Sequence, residues 1–455
     1  MTSDTSPGQG ASPSASEDAP RRRVVITGVG VVSALGRTTG DVWEAMAQGR
    51  SGVGPITRFD TASYRTRIAG EVPAADALDP RFKQPYWDRL DRRARFAVSA
   101  ALSAVQGAGL SFNDQNKAWV ATVMASERPE EDVLLEGARL LETDPEAARR
   151  ILARHARPHA PADRVAALLG VTGPTMQIEN RSAGGLAAII EAAAMIRRGD
   201  ALVGIAGGAE APITPLSLAA FEGTGALSVR NQDPAGASRP LDAGRDGFVL
   251  AEGAAVVTLE ALEVATARGA RILAEVEGEA MTFSPGADGE PGFDAVQIGA
   301  ALQRALILSG RIQSEVDLIA LHAAGTPEGD REEARGVKRI FGASTRHHMY
   351  TPALKSHTGH LLGASGPLAL AVVLEGMHRQ AIPWTRNVET EDAEIDLDGN
   401  FKGVRADTLR VAMVNATGWA HNATLAICHP DAMRPVAEAS AAPVLPIPGR
   451  ETDVP

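Results

Sequence analysis

The sequence predicts an α/β protein, and two features of the chain support this class. Segments with helical periodicity alternate with short, apolar, β-branched segments through most of the 455 residues, a pattern typical of layered α/β proteins. Two segments in which an apolar strand runs into a turn, residues 24–33 and 316–325, begin regions of similar plan. We therefore expect two similar halves whose strands are largely parallel and buried.

The individual elements follow from local patterns. Helices are predicted over residues 41–48, 88–109, 182–198, 297–309, 332–341 and 366–380, and strands over 119–124, 175–178, 201–209, 254–259, 316–321 and 410–415. In the second helix the alanines, valines and Leu102 share one face, with Arg92 and Arg93 off it. Gly28 and Gly30 form a Gly-x-Gly pair, but no third glycine follows at dinucleotide-loop spacing, so they more simply permit close packing.

Composition and charge exclude several function classes. The net charge of −11 argues against nucleic acid and anionic membranes as main partners. No apolar run reaches the roughly 18 residues of a membrane helix, and residues 1–21 lack the apolar region of a secretory signal. We expect a cytoplasmic protein with disordered tails at residues 1–21 and 430–455.

The chain contains one cysteine, Cys428. A single cysteine excludes an internal disulfide framework and a cysteine-based metal cluster, and no metal site is expected. Its apolar setting predicts a buried, structural thiol at a strand end.

Residues 127–158 differ from the rest of the chain in charge. They contain eight acidic residues and six arginines among recurring leucines and alanines, which predicts two amphipathic helices broken near Pro145. Solvated helix faces are one interpretation, and a partner surface is the other.

Ser182 lies where the strand at 175–178 meets an Ala-rich helix that ends at Arg197-Arg198-Gly199. Free N–H groups and the positive end of a helix dipole favour an anionic oxygen there. Ser182 is either a nucleophile at a strand-to-helix corner or an ordinary N-cap serine.

Several phrases together resemble the β-ketoacyl-[acyl carrier protein] synthases, which are condensing enzymes. The phrases are RVVITGVGVVS at 23–33, GGAE at 207–210, SRPLDAGRDGFVL at 238–250, KSHTGHLLGA at 355–364, and Asn415. The resemblance implies a thiolase-like five-layer αβαβα sandwich of two similar halves, here residues 22–262 and 263–429, usually dimeric. It also implies substrates carried on the phosphopantetheine of an acyl carrier protein, with no other cofactor.

The resemblance also implies roles for single residues. Family members use a cysteine nucleophile, two histidines, a lysine and a buried acid. The matching positions are Ser182, His322, His360, Lys355 and Glu333, in that order. Trp419 falls where a phenylalanine of a gating loop supplies the second oxyanion N–H, Thr326 matches a pantetheine contact, and Arg230 matches a carrier-protein contact.

The chain departs from the family pattern at three places. Serine replaces the cysteine, and a hydroxyl needs a general base where a thiol does not. GWAHN at 418–422 replaces the gating loop and is shorter by about one residue, and HAAGTP at 322–327 lacks one of two family threonines. These departures, together with SAGGL at 182–186, are similar to the chain-length factors of type II polyketide ketosynthases.

The leading hypothesis is therefore a ketosynthase β subunit that forms a heterodimer with a Cys-bearing ketosynthase. It would shape the acyl tunnel and assist malonyl decarboxylation through His322 and His360. The alternative is a stand-alone acyltransferase or decarboxylase that uses Ser182, with a self-dimer as the alternative assembly. A purely structural interaction protein is a third hypothesis. We also expect residues 127–158 to lie at or near the subunit contact.

Overall fold

The computed structural model describes residues 22–73, 79–88, 90–155, 160–286, 290–342, 349–399 and 401–435. The predicted N-terminal tail lies outside the described residues. Of the predicted C-terminal tail only residues 430–435 are described, and they contain a 3₁₀ turn at Pro430–Ala432. No helix among the described residues is long and apolar enough to span a membrane.

Fourteen α-helices occur in the described residues. In chain order, α1 to α14 are Thr39–Ala47, Gln84–Trp87, Arg92–Ala108, Glu131–Thr143, Pro145–His155, Ala160–Leu169, Gly184–Arg198, Pro215–Thr224, Pro234–Ala237, Leu262–Ala267, Ala295–Ser309, Pro327–Phe341, Lys355–Thr358 and Ser365–Arg379. The break between α4 and α5 confirms the two helices predicted around Pro145. Their place at a subunit contact stays a prediction.

Thirteen strands occur in the same residues. In chain order, β1 to β13 are Val24–Val32, Gly54–Pro55, Ile68–Ala69, Val120–Ala125, Thr175–Ile178, Val203–Glu210, Gly253–Ala261, Ala274–Phe283, Leu318–Ala320, Ala381–Ile382, Arg405–Ala406, Val411–Gly418 and His421–Cys428. Nine of them form one sheet in the order β5-β4-β6-β7-β1-β8-β13-β12-β9.

The strand directions correct one expectation. Only the pairs β4–β5, β4–β6 and β9–β12 are parallel, and the other five neighbouring pairs are antiparallel. The prediction of largely parallel strands is therefore wrong. A continuously apolar strand indicates that both faces of its sheet are covered by helices. Because both parallel and antiparallel strands can be covered in this way, the apolar pattern does not predict strand direction.

The sheet consists of two parts that meet along a short seam. β1 pairs with β7 along its length but with β8 at only three positions, Val24 to Ile26. The strands on one side of the seam come from residues 24–261, and those on the other side come from 274–428. The predicted division of the chain at residue 262 stays a prediction.

Helices cover both parts of the sheet in layers. α3 and α6 pack on the outer face of the first part, and α11 packs on the outer face of the second, with α12 beside it in the same apolar cluster. α7 and α14 lie between the two parts and contact both. The largest apolar cluster fills this middle layer with residues such as Leu186 of α7 and Leu370 of α14. The result is the expected five layers of helices, sheet, helices, sheet and helices.

Two arginines predicted to lie off the apolar face of α3 are nevertheless buried. The Arg92 Nε donates to Glu252 Oε2 at 2.8 Å, and the Arg93 guanidinium donates to the Arg128 carbonyl at 2.6 Å. A buried guanidinium requires such partners. Local periodicity on α3 did not predict them, because both partners are distant in sequence.

Both parts of the prediction for Cys428 are confirmed, because the thiol is buried and lies at the end of β13. Glu275 and Glu277 approach it, with one candidate ligand atom from each of the three residues within 4.8 Å of the others. Both carboxylates are already bound by guanidinium groups, Glu275 by Arg23 at 2.6 Å and Glu277 by Arg311 at 2.6 Å. Burial, and then the neighbouring carboxylates of Glu277 and Glu275, raise the pKa of the thiol far above its usual range.

Candidate active site

Ser182 lies at a sharp corner between β5 and α7. The helix begins at Gly184, two residues later than predicted, so Ser182 precedes it. Arg181 just before the serine has a φ of 47°, which is uncommon for a residue with a side chain. Backbone strain of this kind is found at functional corners, where it fixes the direction of the next side chain. The Ser182 side chain is buried and lines a cavity.

The cavity has a volume of about 90 Å³ and brings most of the predicted site residues together. Its lining includes Ser182, His322, His360, Thr326 and Trp419. Three phenylalanines, Phe221, Phe248 and Phe293, provide apolar walls. A small apolar cavity with a few converging polar groups is typical of a binding site.

His360 is fixed in one tautomer by its surroundings. The Leu362 backbone N–H donates to His360 Nδ1 at 3.0 Å, and Ser365 Oγ lies 3.0 Å from the same atom. Because Nδ1 accepts a hydrogen bond, the neutral ring carries its proton on Nε2. Burial, aided by the charge of Lys355, holds the pKa of His360 well below its usual range. His360 is therefore a neutral donor at pH 7.

His322 is arranged in a similar way next to Lys355. The Lys355 ammonium donates to the His322 carbonyl and lies 3.4 Å from His322 Nδ1. Burial and then the charge of Lys355 hold the pKa of His322 well below its usual range, and burial lowers the pKa of Lys355 to about 8. The two imidazole centroids are 5.1 Å apart. Together the rings offer two neutral donors side by side.

Glu333 of α12 organises the backbone beneath the histidines. Its carboxylate accepts hydrogen bonds from the backbone N–H groups of His322 and Ala323, both at 2.7 Å, and from Asn415 Nδ2 at 2.6 Å. Burial raises the pKa of this carboxyl group, and the three donors oppose that rise. Glu333 does not line the cavity, so it acts on His322 through the backbone.

Glu127 is a site residue that the sequence did not predict. Its Oε2 atom accepts a hydrogen bond from Ser182 Oγ at 3.3 Å, and its side chain lines the same cavity. A signal was present, because Glu127 follows β4 and Ser182 follows β5, and these two strands are parallel neighbours. Residues that directly follow two neighbouring parallel strands meet at the carboxyl ends of those strands.

A second acid, Glu210 at the end of β6, lies behind Glu127. It is fully buried and accepts hydrogen bonds from the Glu127 N–H at 2.5 Å and the Gly363 N–H at 3.2 Å. Burial raises the pKa of Glu127 to about 7, and burial together with the charge of Glu127 raises the pKa of Glu210 to about 8. Two neighbouring carboxyl groups with raised pKa values are a mark of functional sites.

These pKa values predict that the free energy of unfolding falls as pH rises. A carboxyl group whose folded pKa is raised binds more protons in the native state, so stability is lost through the interval in which it ionises. The interval from pH 7 to about 8 is informative, because unfolded histidines, with an ordinary pKa of 6.5, have lost most of their protons before it begins. Urea unfolding across this interval should show a declining stability for the wild type. Glu127→Gln should show a flatter profile, and parallel profiles would contradict the assignment.

Trp419 lies in a two-residue hairpin turn between β12 and β13. Strand pairing extends to Gly418 and His421, so only Trp419 and Ala420 connect the strands. Trp419 has a φ of 59°, and its indole N–H donates to the Pro291 carbonyl. A Cβ at position 418 would come within 2.6 Å of the Ser182 backbone nitrogen, so glycine alone permits this approach. The predicted shortened loop is a tight, paired turn.

Thr326 and Arg230 have different locations. Thr326 lines the cavity, and its hydroxyl has no hydrogen-bond partner among the described residues, as suits a ligand contact. Arg230 is outside the cavity lining, where it donates to the Gly244 carbonyl at 2.6 Å and lies 3.5 Å from Asp246. Arg230 is thus on the surface, apart from the other predicted residues.

Comparison with known proteins gives a consistent result. Models of two families, "Beta-ketoacyl synthase, N-terminal domain" and "Beta-ketoacyl synthase, C-terminal domain", match residues 21–265 and 273–389. The 3-oxoacyl-[acyl-carrier-protein] synthase 2 of Synechocystis sp. is 37% identical over 89% of this chain and 98% of its own length. The putative polyketide beta-ketoacyl synthase 1 of Streptomyces cyaneus is 38% identical over 83% of this chain and 90% of its own.

Solved structures agree with the sequence relatives. The structure of "the ishigamide ketosynthase/chain length factor" superposes with a TM-score of 0.81 at 30% identity, covering 90% of this chain and 99% of that one. The expected thiolase-like fold is confirmed by this similarity and by the family matches.

Proposed function

Because the chain belongs to the β-ketoacyl synthase family, we propose that it is a ketosynthase β subunit of the chain-length-factor type. It pairs with a Cys-bearing ketosynthase and contributes to the pocket in which the acyl chain grows. The observation that carries this proposal is a serine at the nucleophile corner beside an otherwise complete set of His322, His360, Lys355 and Glu333.

The two histidines support a contribution to malonyl decarboxylation. Loss of CO₂ from a malonyl thioester leaves an enolate, and neutral donors aimed at its oxygen stabilise the charge without a nucleophile. His360 carries its proton on Nε2, and both rings line the cavity. The thioester would be carried on the phosphopantetheine of an acyl carrier protein, with Thr326 at the pantetheine and Arg230 at the carrier surface.

The edge of the sheet supports pairing with a second subunit. β5 ends the sheet, and Thr175 and Met176 on it are exposed. An open strand edge is a natural site for pairing with another chain. Since β5 leads directly into the corner of Ser182, a partner bound there would lie close to the cavity.

Co-expression with a Cys-bearing ketosynthase and an acyl carrier protein tests the proposal. We expect a heterodimer on size exclusion, and malonyl decarboxylation by a complex whose partner cysteine and two active-site histidines are all changed to alanine. His322→Ala and His360→Ala should each lower that residual rate by about 10²–10³-fold. His378→Ala, on the exposed end of α14, is the matched control. A stable homodimer that catalyses condensation at a full rate without a partner would contradict the proposal.

A further inference from the structure

The contact between Glu127 and Ser182 has no use in the function proposed above. Ser182 Oγ donates to Glu127 Oε2 at 3.3 Å in a cavity that also holds both histidines. We propose that Glu127 is the general base for the Ser182 hydroxyl, and that the chain by itself transfers an acyl group from a pantetheine-type thioester to Ser182 and then to water. This activity needs no partner subunit and goes beyond the β-subunit role.

The proposal depends first on what a serine requires. A thiol at a helix N-terminus is partly ionised near neutral pH, whereas a hydroxyl needs a base within hydrogen-bond reach. The Ser182 hydroxyl has such a contact with Glu127. The Glu127 carboxylate is therefore placed to act as the general base that a serine needs and a cysteine does not.

The histidines do not fill this role. Nδ1 of His360 is occupied by the Leu362 N–H, so its Nε2 carries a proton and donates. Nδ1 of His322 faces the Lys355 ammonium at 3.4 Å. Both rings also have pKa values well below the usual range, chiefly because they are buried, and a weakly basic ring is a poor proton acceptor. They are suited instead to hold the oxygen of the tetrahedral intermediate.

Burial, modified by nearby charges, places the pKa of Glu127 near the working pH of a base. Arg181 and Arg128 favour its ionised form, whereas Glu179 opposes it. With burial as the largest cause, the pKa of Glu127 is about 7. A general base is most effective when its pKa lies close to the operating pH.

The chemical steps balance with water as the only co-reactant. Ser182 Oγ attacks the thioester carbonyl, and its proton passes to the Glu127 carboxylate. The C–S bond breaks, and the departing thiolate takes the proton from Glu127, which leaves an ester on Ser182. Water then attacks the ester carbonyl, gives its proton to Glu127, and Ser182 Oγ recovers that proton as the C–O bond breaks. The products are one carboxylic acid and one thiol.

Hexanoyl-N-acetylcysteamine, a short pantetheine mimic, is a suitable probe for the full chain without a partner. Thiol release can be followed with a thiol reagent, because the sole cysteine is buried and gives little background. Intact mass reports the hexanoyl ester on Ser182. The variants are Ser182→Ala, Glu127→Gln and the control Glu136→Gln, whose residue is exposed on α4.

We expect thiol release by the wild type and by Glu136→Gln, with a rate that rises through pH 7 to a plateau. Glutamine can still accept the hydrogen bond of Ser182 but cannot take its proton. Glu127→Gln should therefore lower the rate of thiol release at least about 10²-fold and remove the inflection of the rate near pH 7. Ser182→Ala should lose the same rate and the same inflection. An unchanged rate or pH profile in Glu127→Gln overturns the proposal, as does a wild type with neither thiol release nor adduct. Neither result bears on heterodimer formation, which is measured separately.

Discussion

Replacing Glu333 with alanine should lower the free energy of unfolding by about 3–5 kcal/mol, which is the usual cost of removing one member of a buried charged network. The change leaves the N–H groups of His322 and Ala323 and the amide of Asn415 without their shared acceptor. It also removes the negative charge that stabilises the Lys355 ammonium. Urea unfolding monitored by circular dichroism measures the loss.

Glu328→Ala is the matched control for this prediction. Glu328 is in the first turn of the same helix, α12, and is exposed. Its loss should cost less than about 1 kcal/mol, as expected for a charge near a helix N-terminus. Glu333→Gln keeps the volume and one acceptor oxygen, so it should be intermediate and remains measurable if the alanine variant does not fold. Equal free energies of unfolding for Glu333→Ala and Glu328→Ala would show that the hydrogen bonds of Glu333 do not stabilise the fold.

Restoring a thiol at the corner should give the largest gain in reactivity. In Ser182→Cys the new thiol precedes α7, where the helix terminus favours a thiolate, and the chain acquires its one accessible thiol, since Cys428 is buried. We expect alkylation by iodoacetamide and acylation by a thioester, where the wild type shows no alkylation. Intact mass after timed quenching measures both reactions.

Glu127 should restrain this engineered thiol. A carboxylate at 3.3 Å from the original hydroxyl disfavours a second negative charge, so Glu127→Gln combined with Ser182→Cys should alkylate faster. Each unit by which the thiol pKa falls corresponds to about a tenfold rise in the thiolate fraction. The control pairs Ser182→Cys with Glu136→Gln. If the two double variants alkylate at the same rate, the carboxylate does not act on position 182.

The sequence indicated which residues lie close together better than it indicated their surroundings, and the roles of these residues stay predictions. Ser182, His322, His360 and Lys355 each lie within a distinctive phrase, and the structure brings them together as the resemblance implied. Glu127 did not belong to such a phrase. It stood among eight acidic residues of a charged segment, and only the packing of two parallel strands shows that it faces Ser182.

The fold shows the same difference between local and long-range information. Helical periodicity predicted α7, α11 and α14 to within a few residues, because one amphipathic helix reports its own buried face. The antiparallel pairing of most strands was not predicted, because direction depends on the path of the connecting chain. The buried pair of Arg92 and Glu252 was also missed, since its members are 160 residues apart.

The buried position of the single native cysteine also matters for chemical labelling. A thiol-directed covalent inhibitor finds no accessible target on this chain, because Cys428 is enclosed at the end of β13 and a hydroxyl stands at the corner before α7. In a heterodimer of the proposed kind, such an inhibitor would mark the nucleophile of the companion subunit alone. Counting labels per particle would then report subunit stoichiometry directly, with one active-site mark for each pair of chains.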